Sequence, residues 1–262
     1  MSPGVSRHSD VAEEQGVTFG VDYAYGSPNP ATLKKAGVKF VCRYLSTPGN
    51  TKNLTRAEAA MLRAAGINVV VVFEKSANRA LSGKNAGAED ARSALSQATA
   101  VGMPHGSPIY FAVDFDANPA QQTAINAYLT GAVSVLGKSC VGVYGSYYVC
   151  KRALEAGVID RAWQTYAWSG GLLYVLKIIA SKPGIGKIRH PSAQIYQYRN
   201  GKTLAGISVD FDNAYAADYG QWRTSGPVLK PPQPAPKPAL KRLGGNIFKF
   251  WNPMKGKFWR SG

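Results

Sequence analysis

The stretch PIYFAVDFD, residues 108–116, is the clearest of the short apolar runs that decide the fold of this chain. It ends in two carboxylates, and its last four letters return in GISVDFD at residues 206–212. A nearly continuous apolar run predicts a strand covered on both faces, whereas aspartate is a poor strand former. Two such runs that end in carboxylates therefore indicate a functional site at the ends of strands.

Runs of this kind recur along the whole chain. Besides 108–116 and 206–212, they occupy residues 17–23, 38–45, 67–75, 139–146, 164–169 and 192–198. Amphipathic segments that favour helix lie between most of them, and several end in glycine, as helix C-termini often do. The eighth helix is weak, in NAYAADYGQW at residues 213–222. Strands that alternate with helices predict an α/β fold with parallel strands.

Eight strand–helix units favour a closed (β/α)8 TIM-type barrel, a fold that commonly occupies about 250 residues. An open, doubly wound sheet is the alternative. By composition we divide the chain into a flexible N-terminal leader at residues 1–16, the barrel at 17–222, a proline-rich basic linker at 223–243 and an aromatic-basic attachment segment at 244–262. The prolines of the linker predict a semi-rigid spacer, and the terminal segment is too short to build a core alone.

The chain is strongly basic, with 31 lysines and arginines against 15 acidic residues and a formal net charge of +16. From Gln221 onward it contains no acidic residue at all. A basic body with a more basic tail suggests polyanionic surroundings: nucleic acid, anionic lipid or the teichoic acids of a bacterial wall. The leader lacks the apolar core of an export signal, and the apolar stretch at residues 170–180 is too short to span a bilayer.

Several chemistries find no support in the sequence. The histidines, His8, His105 and His190, lie in the leader or in predicted loops, so a Ser-His-Asp triad or a zinc site lacks its histidine. The three cysteines fit no metal spacing and are interpreted as free thiols. We therefore expect no cofactor and no metal. A divalent cation held by an acidic rim is a minor alternative.

The ends of the predicted strands carry the residues that we assign to the site, because active sites of such barrels lie at the C-terminal ends of the strands. The predicted catalytic residues are Asp22, Glu74, Asp114, Asp116 and Asp210. The predicted substrate-binding residues are Arg43, Tyr144, Trp168, Gln197 and Asp212. Carboxylates serve acid–base chemistry, aromatic faces cover pyranose rings and amides bind hydroxyls, so the set predicts a sugar ligand.

Spacing within the strands supports this assignment. Residues i and i+2 of a strand point to the same side, so we expect Asp114 and Asp116 both to face the barrel mouth. Crowded carboxylates raise one another's pKa values, which lets one of them remain protonated near neutral pH. The alternative for Asp116 and Asp212 is a structural role as caps of the helices that follow them.

Other members of the set also have structural alternatives. For Glu74 the alternative is an ion pair with Arg43 or Lys75. For Tyr144 and Trp168 it is a position in the core. For Arg43 it is neutralisation of the acidic cluster without contact to substrate. Core positions alone would not explain why acids stand at the ends of four predicted strands.

The segments that carry these residues resemble a known family. They are GVDYAYGSPNPATLKKAGVKFVCRYLS (20–46), PIYFAVDFDA (108–117), GVYGSYYVCKRALEAGVIDRAWQTYAWSGG (142–171) and AQIYQYRNGKTLAGISVDFDNAY (193–215). Together they resemble the glycoside-hydrolase-like barrel domain of actinobacteria and their bacteriophages, which is related to the family 25 glycoside hydrolases, the Chalaropsis-type muramidases. The resemblance covers residues 17–222.

The resemblance implies roles for individual residues. Muramidases of this type carry an Asp on strand 1, an Asp-x-Glu on strand 4 and an Asp on strand 8. These positions correspond here to Asp22, to Asp114 with Asp116, and to Asp210. Position 116 is therefore Asp where a muramidase has its general-acid Glu, and the shorter side chain withdraws the carboxyl group. Glu74 is the predicted substitute for that acid.

Two functions follow from the resemblance. The first is a peptidoglycan hydrolase of bacteriophage type, an endolysin or a tail-associated lysin, that uses the carboxylate cluster at the barrel mouth. The second is a glycan-binding structural component of a phage virion with little or no turnover, attached to other virion proteins through residues 244–262. Either protein would be made in the host cytoplasm and act at the cell wall or travel in the virion. Nucleic-acid binding rests on charge alone.

Overall fold

Eight short strands close into a barrel in the order of the sequence. The computed structural model describes residues 16–169 and 188–222. The strands are β1 (Thr18–Asp22), β2 (Phe40–Leu45), β3 (Asn68–Phe73), β4 (Ile109–Ala112), β5 (Val141–Gly145), β6 (Arg161–Thr165), β7 (Ile195–Leu204) and β8 (Ile207–Ala214). The predicted closed barrel is confirmed, and the open sheet is excluded.

The last strand runs in the direction opposite to the one we expected. β1 to β7 are successively parallel, but β8 is antiparallel to both of its neighbours, β7 and β1. Only Ala205 and Gly206 join β7 to β8, and both have positive φ, 50° and 81°. Such a two-residue turn makes a hairpin and leaves no room for a crossover helix. The weak helix predicted at residues 213–222 is also absent from that described segment.

Five helices in the described ranges cover the outside of the parallel strands. They are α1 (Pro30–Lys35), α2 (Arg56–Ala64), α3 (Gly83–Ala100), α4 (Gln122–Leu136) and α5 (Tyr147–Glu155). The side chains of Asn29, Thr55 and Ser146 accept a backbone N–H at the starts of α1, α2 and α5. These caps explain why helices begin directly after the loops that follow the strands.

Two cores result from the alternation of side chains along the strands. Residues such as Phe40, Cys42, Val70 and Val72 pack inside the barrel, while their neighbours along each strand pack between barrel and helices. Tyr219 packs among the interior residues, and its carbonyl accepts a hydrogen bond from Tyr110. The carboxyl ends of β1 to β7 therefore form the end of the barrel at which a site can open.

The leader, the proline-rich linker at residues 223–243, the attachment segment at 244–262 and the apolar stretch at 170–180 fall on residues outside the described ranges, apart from Gly16. Within the described ranges, no helix has both the length and the apolar character required to cross a membrane.

Candidate functional site

Two carboxylates at the barrel mouth share one amide donor. The Nε2 atom of Gln197 on β7 lies 2.7 Å from Oδ2 of Asp22 and 3.3 Å from Oδ2 of Asp210. The two carboxylate oxygens can therefore be no further apart than these two distances combined. Asp22 ends β1, and Asp210 lies directly opposite it on β8. The structure thus brings together three residues of the predicted site.

The other end of the same amide is also fully used. Oε1 of Gln197 accepts hydrogen bonds from the hydroxyls of Tyr144 at 3.1 Å and Thr165 at 2.6 Å. An amide has two donor hydrogens and one oxygen with two lone pairs, so no bonding capacity of Gln197 is left for a substrate hydroxyl. Gln197 and Tyr144 were predicted to bind substrate. Their contacts instead orient the carboxylates.

Asp212 lies beneath this cluster and not in the opening. Its side chain is fully buried, and Oδ1 accepts a hydrogen bond from the indole nitrogen of Trp163 at 2.9 Å. Its Oδ2 atom has no hydrogen-bond partner among the described residues. The predicted substrate contact is therefore wrong, because no solvent reaches the residue. The helix-cap alternative is wrong as well, because Asp212 lies inside β8.

Burial dominates the electrostatics of this group. The pKa of Asp22 rises to about 7, first because the carboxyl is buried and then because Asp210 is close. Burial and the charge of Asp22 raise the pKa of Asp212 well above its usual value. Burial also raises the pKa of Asp210, against an opposing hydrogen bond from the Gly201 N–H at 2.8 Å. These three carboxyl groups therefore lose their protons at a higher pH than ordinary aspartates do.

A second acidic group stands on the same rim, around Lys52. The ammonium of Lys52 lies 2.9 Å from Oε2 of Glu74 and 5.1 Å from the ring centre of Tyr44. Burial raises the pKa of Asp114, the nearby charge of Glu74 raises it further, Lys52 lowers it and Asp210 raises it slightly. Glu74 thus forms its ion pair with Lys52, and not with Arg43 or Lys75, the two partners considered from the sequence. Asp114 lies within electrostatic reach of both acidic groups.

Asp116 and Trp168 are not brought into the cluster. β4 ends at Ala112, so the i, i+2 rule no longer governs the chain at Asp116, whose side chain is exposed. The cap of the following helical turn is Asn118, which excludes the cap alternative for Asp116. Trp168 lies in the turn after β6 with a positive φ of 51° and is 38% exposed, so it is not a core residue.

Arg43 points away from the mouth, which corrects its predicted contact with substrate. Its guanidinium forms two hydrogen bonds with Glu58 on α2, at 2.6 and 3.1 Å, and donates to the carbonyl of Tyr23 at 2.6 Å. The side chain is 2% exposed. The reason is the alternation along β2: Cys42 and Tyr44 face the interior, so Arg43 between them faces the helices.

An open pocket of about 470 Å³ adjoins the first carboxylate pair. Asp22 and Asp210 line it together with Tyr44, and the loop after β1 adds Tyr25, whose side chain is 62% exposed. This volume is in the range of small-ligand sites. Sequence reasoning missed Tyr25, Thr165 and Lys52, and it placed Tyr44 near the end of the second strand without assigning it to the site. The alternation along β2 and β6 would have assigned Tyr44 and Thr165 to the interior.

Metal binding has no geometric basis in the described ranges. There, no three His, Cys, Asp or Glu side chains are arranged to hold an ion. The arrangement can instead hold and transfer protons and can stabilise a positive charge that develops in the pocket.

Comparison with known proteins gives a consistent result. The model of the family described as "Rv2525c-like, glycoside hydrolase-like domain" matches residues 31–216. The uncharacterized protein YbfG of Bacillus subtilis (strain 168) is 34% identical over an alignment of 165 residues, and the match covers 55% of this chain. The match covers 22% of YbfG, so the chain spans a minor part of that relative's length.

Two solved structures share the fold. The Tat-secreted protein Rv2525c of Mycobacterium tuberculosis, crystallised with L-tartrate, has a TM-score of 0.69 at 25% identity, covering 79% of this chain and 99% of that one. A family 25 glycosyl hydrolase from Bacillus anthracis has a TM-score of 0.51 at 18% identity, covering 78% and 93%. The expected relation to these two groups of barrels is confirmed.

Proposed function

Because the chain belongs to the Rv2525c-like, glycoside hydrolase-like domain family, we propose that it hydrolyses the glycan of the bacterial cell wall, peptidoglycan. The substrate class is taken from the family 25 glycoside hydrolases, which the sequence resembles and whose fold it shares. The positive charge of the chain favours residence at a polyanionic wall. A small-molecule substrate would not need this charge.

One observation carries the proposal: two carboxylates held by a single amide at the edge of an open pocket. Cleavage of a glycosidic bond passes through a transition state with positive charge on the sugar, and a pair of carboxyl groups normally serves it. Asp22 and Asp210 line the pocket and are positioned by Gln197. Tyr25 offers an exposed aromatic face against which a sugar ring can pack.

We assign the proton donor to Asp114. Its raised pKa favours retention of a proton for the leaving oxygen, and Glu74 contributes to that rise. Glu74 itself is committed to Lys52, and Asp116 is exposed and outside the cluster. Asp22 and Asp210 then stabilise the positive charge that develops at the sugar.

A second candidate function is glycan binding without turnover. The observation in its favour is Asp116, which takes the place of the muramidase acid and stands exposed. About 1 Å of displacement of a reacting group can cost on the order of 100-fold in rate.

For both the hydrolytic and the binding function, we assign the protein to bacteriophages, either as an endolysin or as a component of the tail. Residues 244–262 would then be the segment that attaches it to other virion proteins.

The test is hydrolysis of purified peptidoglycan by the full chain, measured by release of reducing sugar ends. Asp114→Asn and Asp210→Asn should each reduce the rate by about 100-fold or more, the usual cost of losing a general acid or a charge stabiliser. Asp116→Asn is the matched control, with the same chemical change at an exposed position on the same loop, and should retain most of the activity.

The other possible results of this experiment distinguish hydrolysis from binding without turnover. Loss of activity in Asp116→Asn alone would move the acid role to Asp116, as the resemblance implies. A wild-type chain that sediments with peptidoglycan but releases no sugar ends would support the binding function, provided that Asp210→Asn no longer sediments. Neither hydrolysis nor sedimentation would overturn both functions.

A further inference from the structure

The loop that follows β3 provides a backbone contact that holds Asp114. The amide N–H of Asp114 donates a hydrogen bond to the carbonyl of Ala77 in that loop, at 3.1 Å. The preceding residue is held by a different element, because the N–H of Val113 donates to the carbonyl of Tyr144 on β5 at 2.8 Å. Since β4 has already ended at Ala112, the orientation of Asp114 depends on where the loop lies.

A cluster of charged side chains anchors this loop to the helix that follows it. Arg79 closes the turn that contains Ala77, since its backbone N–H donates to the carbonyl of Ser76 at 3.2 Å. The guanidinium of Arg79 donates to both oxygens of Asp90 on α3, at 2.8 and 3.1 Å, and to Glu89 at 2.9 Å. Two bonds between an arginine and one carboxylate fix both distance and orientation. A shift of the loop would therefore break them.

Asp90 is the buried centre of this cluster. It is 1% exposed and accepts a third hydrogen bond, at 2.9 Å, from the hydroxyl of Tyr128 on α4. The ring of Tyr128 lies edge-on to that of Phe111 on β4, with the ring centres 6.1 Å apart. One carboxylate thus joins the loop to α3 and α4, and through Tyr128 it is linked to the strand that leads to Asp114.

The first residue of the loop is fixed independently of the cluster. The N–H of Glu74 donates to the carbonyl of Leu45 at 2.9 Å, and the hydroxyl of Ser46 donates to the carbonyl of Glu74 at 2.6 Å. These two bonds join the start of the loop to the end of β2. The cluster on α3 therefore acts on the far end of the loop, which includes Ala77.

We propose that Arg79 and Asp90 are positioning residues that hold Asp114 in the orientation from which it donates its proton. The inference rests on the proposed function, in which Asp114 is the general acid. Asp90 acts through the loop and not on a ligand, since it is buried. Displacement of a reacting group by about 1 Å can cost on the order of 100-fold in rate, so partial release of the loop is enough to slow the reaction.

Hydrogen exchange of two neighbouring amides, measured by NMR on the full chain, tests the contact without a substrate. In Arg79→Ala the loop loses its anchor, so the N–H of Asp114 should exchange about tenfold faster than in the wild type. The N–H of Val113 is the internal control: its acceptor belongs to β5, so its exchange rate should change much less. Arg92→Ala is the matched control variant, because Arg92 is exposed on α3, and it should leave both rates unchanged.

The kinetic measurement separates positioning of the acid from binding of the sugar. Arg79→Ala should lower kcat on soluble wall fragments by about tenfold and leave KM unchanged, because the acid is displaced and the pocket is not. Arg79→Lys keeps the positive charge beside Asp90 and should recover part of the lost rate. Asp90→Asn weakens the same contact but retains an acceptor for Tyr128. It should change kcat and the exchange of Asp114 in the same direction as Arg79→Ala.

The outcomes distinguish this inference from the proposed function. If Arg79→Ala accelerates the exchange of Asp114 and Val113 equally, or leaves Asp114 unchanged, the cluster only stabilises the fold and the inference is wrong. A raised KM with unchanged kcat would contradict it as well. If Arg79→Ala does not fold, Arg79→Lys and Asp90→Asn decide by the same comparison of the two amides. Absence of hydrolysis in the wild type would overturn the proposed function alone, because the exchange experiment needs no substrate.

Discussion

At the scale of single residues, one amide organises the mouth of the barrel. Gln197 is 1% exposed, and the two hydroxyls on its oxygen settle which way the amide faces. Its nitrogen must then point to Asp22 and Asp210. A Glu at this position would place a third carboxyl where a donor is needed. The chemistry assigned to the carboxylates therefore depends on a residue that does not contact the pocket.

Tyr25 provides a residue-scale prediction for ligand binding. Its exposed ring lines the pocket, so Tyr25→Ala should weaken binding of soluble wall fragments by up to about tenfold, since aromatic contacts are worth about 0.5–1.5 kcal/mol. Isothermal titration on the full chain would measure it. Tyr215→Ala is the matched control, because Tyr215 follows the opposite end of β8 and is 38% exposed. Equal weakening in both variants would remove Tyr25 from the site.

At the scale of elements, the β7–β8 hairpin determines which carboxylates reach the mouth. Because β8 returns antiparallel, its first half lies at the open end of the barrel. Asp210 is therefore the register partner of Asp22 on the neighbouring strand β1. Asp212, two residues later, faces Gly20 and is therefore one layer deeper. A parallel eighth strand would have placed the two aspartates in the opposite order of depth. The direction of one strand thus separates a pocket residue from a buried one.

The crossing of α3 and α4 gives an element-scale prediction for stability. A methyl group at Gly87 would lie 1.8 Å from the carbonyl oxygen of Tyr128, so the helices approach with backbone in contact. Gly87→Ala should lower the free energy of unfolding by about 1–3 kcal/mol, although alanine favours helix. Ser96→Ala, at an exposed position of α3, should leave it unchanged or raise it slightly. Urea unfolding measures both, and an unchanged Gly87→Ala would mean that the helices can separate without cost.

At the scale of the whole molecule, the barrel and the C-terminal tail differ in their charge. Nine of the 31 lysines and arginines and no acidic residue lie from Gln221 onward. The barrel carries all the acids of the site, whereas the tail carries cations and aromatic residues that suit attachment. We therefore expect catalysis and retention on the wall to be separable by truncation.

Deletion of residues 224–262 tests this expectation. The truncated chain should unfold at the same urea concentration as the full chain and should cleave soluble wall fragments at the same rate. It should lose retention on intact walls. In the full chain, anchoring through aromatic residues should persist at physiological salt and depend on Trp251 and Trp259, because exposed charge attraction alone is screened within about 10 Å. A truncated barrel that fails to fold, or that is retained as before, would contradict the assignment.

The sequence alone determined the barrel and the position of its strands, because apolar runs and helix caps are local signals. PIYFAVDFD predicted a strand at residues 108–116, and β4 occupies Ile109–Ala112 within it. The alternation of side chains between the two faces of a strand predicts more of the site than we derived from it. Applied along β2, it assigns Tyr44 to the interior and Arg43 to the helices, whereas we had predicted that Arg43 binds substrate.

The tertiary structure decided the direction of β8, the burial of Asp212, the partner of Glu74 and the role of Gln197. Each depends on contacts between residues that are distant in sequence, such as Gln197 and Asp22, which are 175 positions apart. A local pattern states which residues belong to a strand. Only the register of neighbouring strands determines which carboxyl groups meet, which are buried and which stay in water.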